Sequence, residues 1–195
     1  MKTVTTLEDL QSKILNDRIC LDLAEQATQL VMGSGNPQAD IVFIGEAPGK
    51  KEDESGIPFV GASGKFLNEM LESAGIERDD VYITNIVKYR PPNNRDPTKA
   101  EKAAFWPYLL KQLEIIQPKV IVTLGRHSME AFLPDAKIGE AHGQSHKIPV
   151  IFNGVTASDL LVVPLYHPAA ALYNGRLRQT LKSDFLNAAR KITEY

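Results

Sequence analysis

Four short apolar runs, ADIVFIG at 39–45, VYITNIV at 81–87, KVIVTLG at 119–125 and LLVVPLYHP at 160–168, constrain this chain more than any other feature. A continuous apolar run too short for a core helix is the signature of a strand buried on both faces. Between the runs the spacing turns helical. ASGKFLNEMLESAG sets Phe66, Leu67, Met70 and Leu71 on one stripe and stops at Gly75. DPTKAEKAAFWPYLLKQLEIIQP reads as a long helix with Asp96 as its N-cap and Pro97 at its first position, kinked or restarted at Pro107. RHSMEAFL and LRQTLKSDFLNAARKI give two more helices, and HKIPVIFNG a hairpin-like arm. Before the first run, LEDLQSKIL is helical and CLDLAEQATQLV extends that pattern. Strands alternating with helices predict an α/β fold, a mainly parallel sheet with helices on both faces. The chain reads as a single domain over 1–195, with 1–35 as a helical N-terminal segment packed on it.

Composition removes several alternatives. At 195 residues the chain is long enough for one sizeable core. No apolar run approaches the roughly 20 residues of a membrane span. The polar, partly acidic start MKTVTTLEDLQSKILNDR does not read as a secretion signal, so the expected location is cytoplasmic, with no membrane partner. Cys20 is the single cysteine; it cannot form an internal disulfide or a thiolate cage, and its amphipathic surroundings suggest a buried structural thiol. With a net charge of −2, no global field draws the protein to a polyanion, so any such binding needs a local patch.

In a parallel sheet, ligands bind beyond the carboxyl ends of the strands. GEAPG, the pair Thr84–Asn85, GRHS and HPAAAL all fall there. The loop after GEAPG lacks both common phosphate cradles: Pro48 and a charged stretch separate its glycines from the next helix, expected at Ala62, and GASGKF lacks the P-loop hydroxyl. Its glycines instead let main chain approach a flat ligand. Phe59 offers either a stacking face or a core ring. Asn85 either reads the donor–acceptor edge of a pyrimidine or forms a turn. His167 either donates to an oxygen that gains charge during bond breaking or fastens its loop.

Taken together, GEAPGKKEDESGIPFVGASGKFLNEML, VYITNIVKYRPPNNRDPTKAE, PYLLKQLEIIQPKVIVTLGR and VPLYHPAAALYN resemble the uracil-DNA glycosylase superfamily, closest to its iron–sulfur family four. The resemblance implies a three-layer αβα sandwich around a four-stranded parallel sheet, with the base pocket at its carboxyl end. It implies a monofunctional DNA glycosylase that flips uracil out of DNA, hydrolyses its N-glycosidic bond and releases free uracil. Asn85 would read the uracil edge, Phe59 would stack on the ring, and main chain at Glu46 and Ala47 would meet its carbonyls. His167 would steady the departing anion. Glu46, or Glu52 with Asn94, would position the water, and Leu172 or Tyr173 would fill the gap in the duplex. Lys65, Lys88, Arg90, Arg95, Arg176 and Arg178, with Lys50, Lys51 and Lys182 nearby, would meet phosphates. The protein would act as a monomer. The alternative is a non-catalytic or altered member that only binds a nucleobase or DNA.

The chain departs from family four in its cysteines. That family holds a four-iron cluster on four of them, whereas here the matching positions carry Tyr89 and Phe105 or Trp106, and the amino-terminal pair is missing. Soft thiolates are what bind such clusters, so the expectation is a protein with neither cofactor nor metal.

Overall fold

A computed structural model describes residues 4–152 and 155–192. In chain order the elements are α1 (Leu7–Asn16), α2 (Leu21–Ala24), β1 (Ser34–Gly35), β2 (Ile41–Gly45), α3 (Lys50–Ser55), α4 (Ala62–Ser73), β3 (Tyr82–Asn85) and α5 (Lys99–Ile116). They continue with β4 (Val120–Leu124), α6 (Arg126–Glu130), α7 (Ile138–Ala141), β5 (His146–Phe152), β6 (Val155–Leu165), α8 (Pro168–Ala171) and α9 (Gly175–Ile192).

The strand order is β1-β3-β2-β4-β6-β5. The four apolar runs form the parallel centre, β3-β2-β4-β6, and β1 and β5 add antiparallel edges. The sheet therefore has six strands among the described residues, two more than the family pattern implies. The short β1 and the hairpin arm β5 were free to extend it because each edge of a sheet offers unpaired backbone groups. The expected turn residues of that arm, Asn153 and Gly154, lie outside the described residues.

Alternation along each strand sends successive side chains to opposite faces. Val42, Ile44, Ile121 and Val162 meet Leu10 and Ile14 of α1 and Phe105, Leu109 and Leu113 of α5. Ile41, Phe43, Val122 and Val163 meet Phe66, Leu67 and Met70 of α4 and Leu181 and Phe185 of α9. The result is helix, sheet, helix: a three-layer sandwich.

Four local expectations change. The helical pattern after Cys20 lasts one turn, Leu21–Ala24, and the left-handed Arg18 and Cys20 separate it from α1. A helix, α3, already forms at Lys50–Ser55, before the one expected at Ala62; Gly56, left-handed at φ 75°, closes it. Helix α5 begins at Lys99, not at Pro97, because Thr98 and Glu101 form a reciprocal capping box. Pro107 does not break α5, which runs its full 18 residues. Ala103 and Pro107 both lie on its exposed face, where water can take the carbonyl that proline leaves unbonded.

Candidate active site

The strand ends converge on a cavity of about 320 Å³ lined by Glu46, Ala47, Glu52, Phe59, Asn85, Asn94, Arg95 and His167, among others. Gly45 makes this convergence possible. A Cβ there would lie 2.4 Å from Asn85 Oδ1 and 2.7 Å from the Phe59 ring, so only glycine lets both side chains reach the wall. Asn85 ends β3 directly opposite Gly45 and is 2% exposed.

Phe59 occupies the left-handed region at φ 54°, a conformation that costs energy for a side chain of its size and persists only under constraint. The constraints are visible. Glu52 Oε1 accepts from the amides of Val60 (2.9 Å) and Gly61 (2.8 Å). Arg78 donates to the Pro58 carbonyl at 2.7 Å. Gly64 of α4 passes so close that any Cβ would strike the Phe59 carbonyl. The residue is 6% exposed, packed into the core, and its side chain also lines the cavity.

His167 faces Phe59, with ring centroids 5.9 Å apart. Its Nδ1 accepts from the Ala169 amide at 3.1 Å, capping α8, so in the neutral ring the proton sits on Nε2. Burial pushes the imidazole down to about 4, against the opposing pull of Glu52. The site thus presents a neutral imidazole with a fixed N–H donor.

Glu46 and Glu52 differ sharply. The Glu52 carboxylate is engaged by loop amides. Glu46 has a buried Oε1 with no hydrogen-bond partner. Burial, and secondarily the charge of Asp96, push its carboxyl up to about 7. Asp96, which the sequence suggested as a helix cap, instead sits beside Glu46 and His127 of α6; one donor atom from each lies within 4.8 Å of the others. Arg126 Nε donates to His127 Nε2 at 3.2 Å, and Arg126 Nη2 lies 4.0 Å from Asp96 Oδ2. Sequence reading gave His127 no role. Its only signal was its position in GRHS, at the end of a buried strand.

The basic residues separate. Lys88 is 0% exposed and cannot touch a phosphate, which corrects its expected role. Its Nζ donates to Thr84 Oγ1 (2.6 Å), the Asn85 carbonyl (2.7 Å) and Gln112 Oε1 (2.6 Å), and Gln112 in turn donates to the Met32 carbonyl and Tyr82. That network ties β3 to α5 and the N-terminal segment. Arg95 forms a two-pronged pair with Glu101 at 2.6 and 2.9 Å, which pulls Glu101 down to about 2. Arg90 donates to Asn94 Oδ1 at 2.7 Å. Arg178 pairs with Glu69 and lies over the Phe66 ring. Lys65 and Arg176 are exposed. Of the two wedge candidates, Tyr173 stands 97% exposed beside the cavity-lining α8, whereas Leu172 packs partly against the core.

The model of the uracil DNA glycosylase superfamily matches residues 32–190. A type-4 uracil-DNA glycosylase of Sulfurisphaera tokodaii is 47% identical over 184 residues, covering 92% of this chain and 82% of the relative. One of Archaeoglobus fulgidus is 45% identical, covering 92% and 90%, and one of Thermotoga maritima 39% identical, covering 96% of each.

Proposed function

The chain belongs to the uracil-DNA glycosylase superfamily, and on that premise we propose that it excises uracil from DNA in repair, hydrolysing the N-glycosidic bond with the division of labour that follows. One observation carries the reading: Asn85, Phe59 and His167 meet in one cavity, at a glycine whose replacement would exclude two of them.

The target bond is out of reach inside a duplex, so the nucleotide is flipped into the cavity. Tyr173 fills the gap, and Lys65 and Arg176 meet the backbone. Phe59 stacks on the ring. The Asn85 amide accepts from uracil N3–H and donates to O4; cytosine presents the opposite pattern and is rejected. As the C1′–N1 bond breaks, its electron pair passes to the uracil ring, and His167 Nε2–H donates to O2 where the charge gathers. Water supplies its oxygen to C1′ and its proton to Glu46, whose elevated proton affinity suits a general base near neutral pH. Glu52 holds the loop beneath Phe59, and Asn94 lines the water's approach. The lining of the cavity includes no lysine, which supports hydrolysis without a strand-cutting imine step.

Family-four chemistry implies a cluster, and this chain does not fit one. It has one cysteine, and Tyr89 and Phe105 meet edge to face at 5.9 Å inside the core, where thiolates are required. No step passes through iron. No helix among the described residues is long and apolar enough to cross a membrane; the cytoplasmic location, single domain and monomeric state expected from the sequence belong to the proposal.

The test is purified protein with a uracil-containing oligonucleotide, followed by alkaline cleavage at abasic sites. Uracil-dependent cleavage supports the reading. Uracil-specific binding without cleavage would make the protein a binding member of its family.

A further inference from the structure

Beside Glu46, at the edge of the cavity, lies a cluster that the proposed chemistry leaves unused. Helix α6 carries Arg126, His127 and Glu130; Asp96 stands before α5, and Lys102 lies within it. These are the charged groups that face Glu46. His127 Nε2 is 3.6 Å from Glu46 Oε1 and 3.3 Å from Asp96 Oδ2. Its Nδ1 is buried without a hydrogen-bond partner, with Glu130 Oε2 at 3.9 Å. The facing Glu46 Oε1 is also bare. One unpartnered atom on each of two neighbouring side chains, Glu46 Oε1 toward His127 Nε2 and His127 Nδ1 toward Glu130, is uncommon in a native structure, where nearly all buried polar atoms are paired.

Resting on the reading of Glu46 as the base, we infer that His127 is a positioning residue for it, a proton partner that holds the Glu46 carboxylate ionised and aimed into the cavity. The ring has two hydrogen-bonding arrangements. Neutral at Nε2, it accepts from Arg126 Nε at 3.2 Å. Protonated there, it donates to Glu46 or Asp96 and Arg126 turns to Asp96. The short gap between the two side chains lets a proton pass from one to the other. While that proton sits on His127, Glu46 is a carboxylate able to take a proton from water. After the reaction, the proton that Glu46 has gained passes to His127, which is 20% exposed at its side chain, and from there to solvent. The burial that raises the proton affinity of Glu46 is thus offset where the reaction needs the carboxylate form.

A neighbouring positive charge at this distance, partly open to water, is worth about one pH unit to a carboxyl group, tenfold in its ionised fraction at fixed pH. The test uses His127→Gln in the full chain, with Glu46→Gln to assign the signal. Carboxyl 13C NMR follows Glu46 directly, and single-turnover excision is measured from pH 5 to 9. The expected result is that Glu46 titrates about one unit higher in His127→Gln and that the acid limb of the rate profile moves up with it, the plateau rate at high pH being nearly retained. An unmoved Glu46 titration overturns the inference, whether or not excision occurs. A shifted titration beside an unmoved rate profile overturns the assignment of Glu46 as the base and leaves the pairing intact. Absence of excision in the unaltered protein defeats the functional reading, and the NMR titration still decides the pairing.

Discussion

Replacing His167 separates charge stabilisation from mere fastening of the loop. In the structure Nδ1 caps α8 through the Ala169 amide, which leaves Nε2 to carry the proton of the neutral ring, the proton proposed to meet the uracil oxygen. Loss of a cap costs about 1 kcal/mol of stability. Loss of one donor to a developing oxyanion costs about 10²–10³ in rate, roughly 3–4 kcal/mol. His167→Asn restores a cap acceptor without the ring's reach, and His167→Ala removes both functions. Single-turnover excision, with enzyme in excess over a labelled uracil oligonucleotide, should slow by that factor in both variants. DNA affinity should change little, because phosphate contacts dominate it. The pH dependence adds a second check. Burial depresses the folded-state value to about 4, below the unfolded value, so the folded protein binds fewer protons. The stability tied to neutral His167 is complete above the unfolded value of about 6.5 and is lost as pH falls toward 4, by at most about 3 kcal/mol. Melting temperature should therefore fall more steeply between pH 6.5 and 4 in the unaltered protein than in His167→Ala. A His167→Asn protein that excises at the normal rate, or that loses DNA binding with a normal rate at saturation, refutes the charge-stabilising role.

Asn85→Ala should remain folded and lose about 10² in single-turnover rate, the worth of two hydrogen bonds to the uracil edge; a near-normal rate means the base is read elsewhere. Glu46→Gln should lower the rate by about 10²–10⁴, the range of a general base, whereas Glu52→Ala should show mainly as a lower melting temperature from the released Val60 and Gly61 amides. The reverse pattern in a side-by-side assay exchanges the two roles. Lys88→Met removes the donor to Thr84 Oγ1, the Asn85 carbonyl and Gln112 Oε1, of which Gln112 keeps a 3.3 Å bond from Thr84; at about 1–3 kcal/mol for each buried group left unpaired, denaturant melts should show a clear loss of stability. The salt dependence of DNA binding should be unchanged, and a shallower slope would make Lys88 a phosphate contact after all. The purified protein should be colourless and free of iron; a brown preparation with stoichiometric iron contradicts the reading of Tyr89, Phe105 and Trp106 as core filling.

The parallel centre of the sheet was legible along the chain because burial on two faces leaves a local mark: unbroken runs such as IVFIG and VIVTL occur where no side can be polar. The cavity wall was legible for a related reason. Gly45, Asn85 and His167 each sit at or just beyond the end of such a run, and strand ends in this architecture face one crevice. The edge strands were less so, since two residues of β1 carry no period and need β3 beside them to become a strand. Charge was least legible of all. Lys88 has the composition of a surface residue, and only Thr84, Asn85 and Gln112, drawn from two elements, turn it into a buried strut. Glu46 and Glu52 are alike as letters in one loop; the amides of Val60 and Gly61 engage one, and burial beside Asp96 raises the other. His127 came into view only when β2 and β4 paired in parallel register, Ile44 beside Thr123, bringing the residues that follow each strand together. Hydrophobic burial is written residue by residue along the chain, whereas the state of a charged group depends on what surrounds it, and those surroundings are assembled from distant segments only when the chain folds.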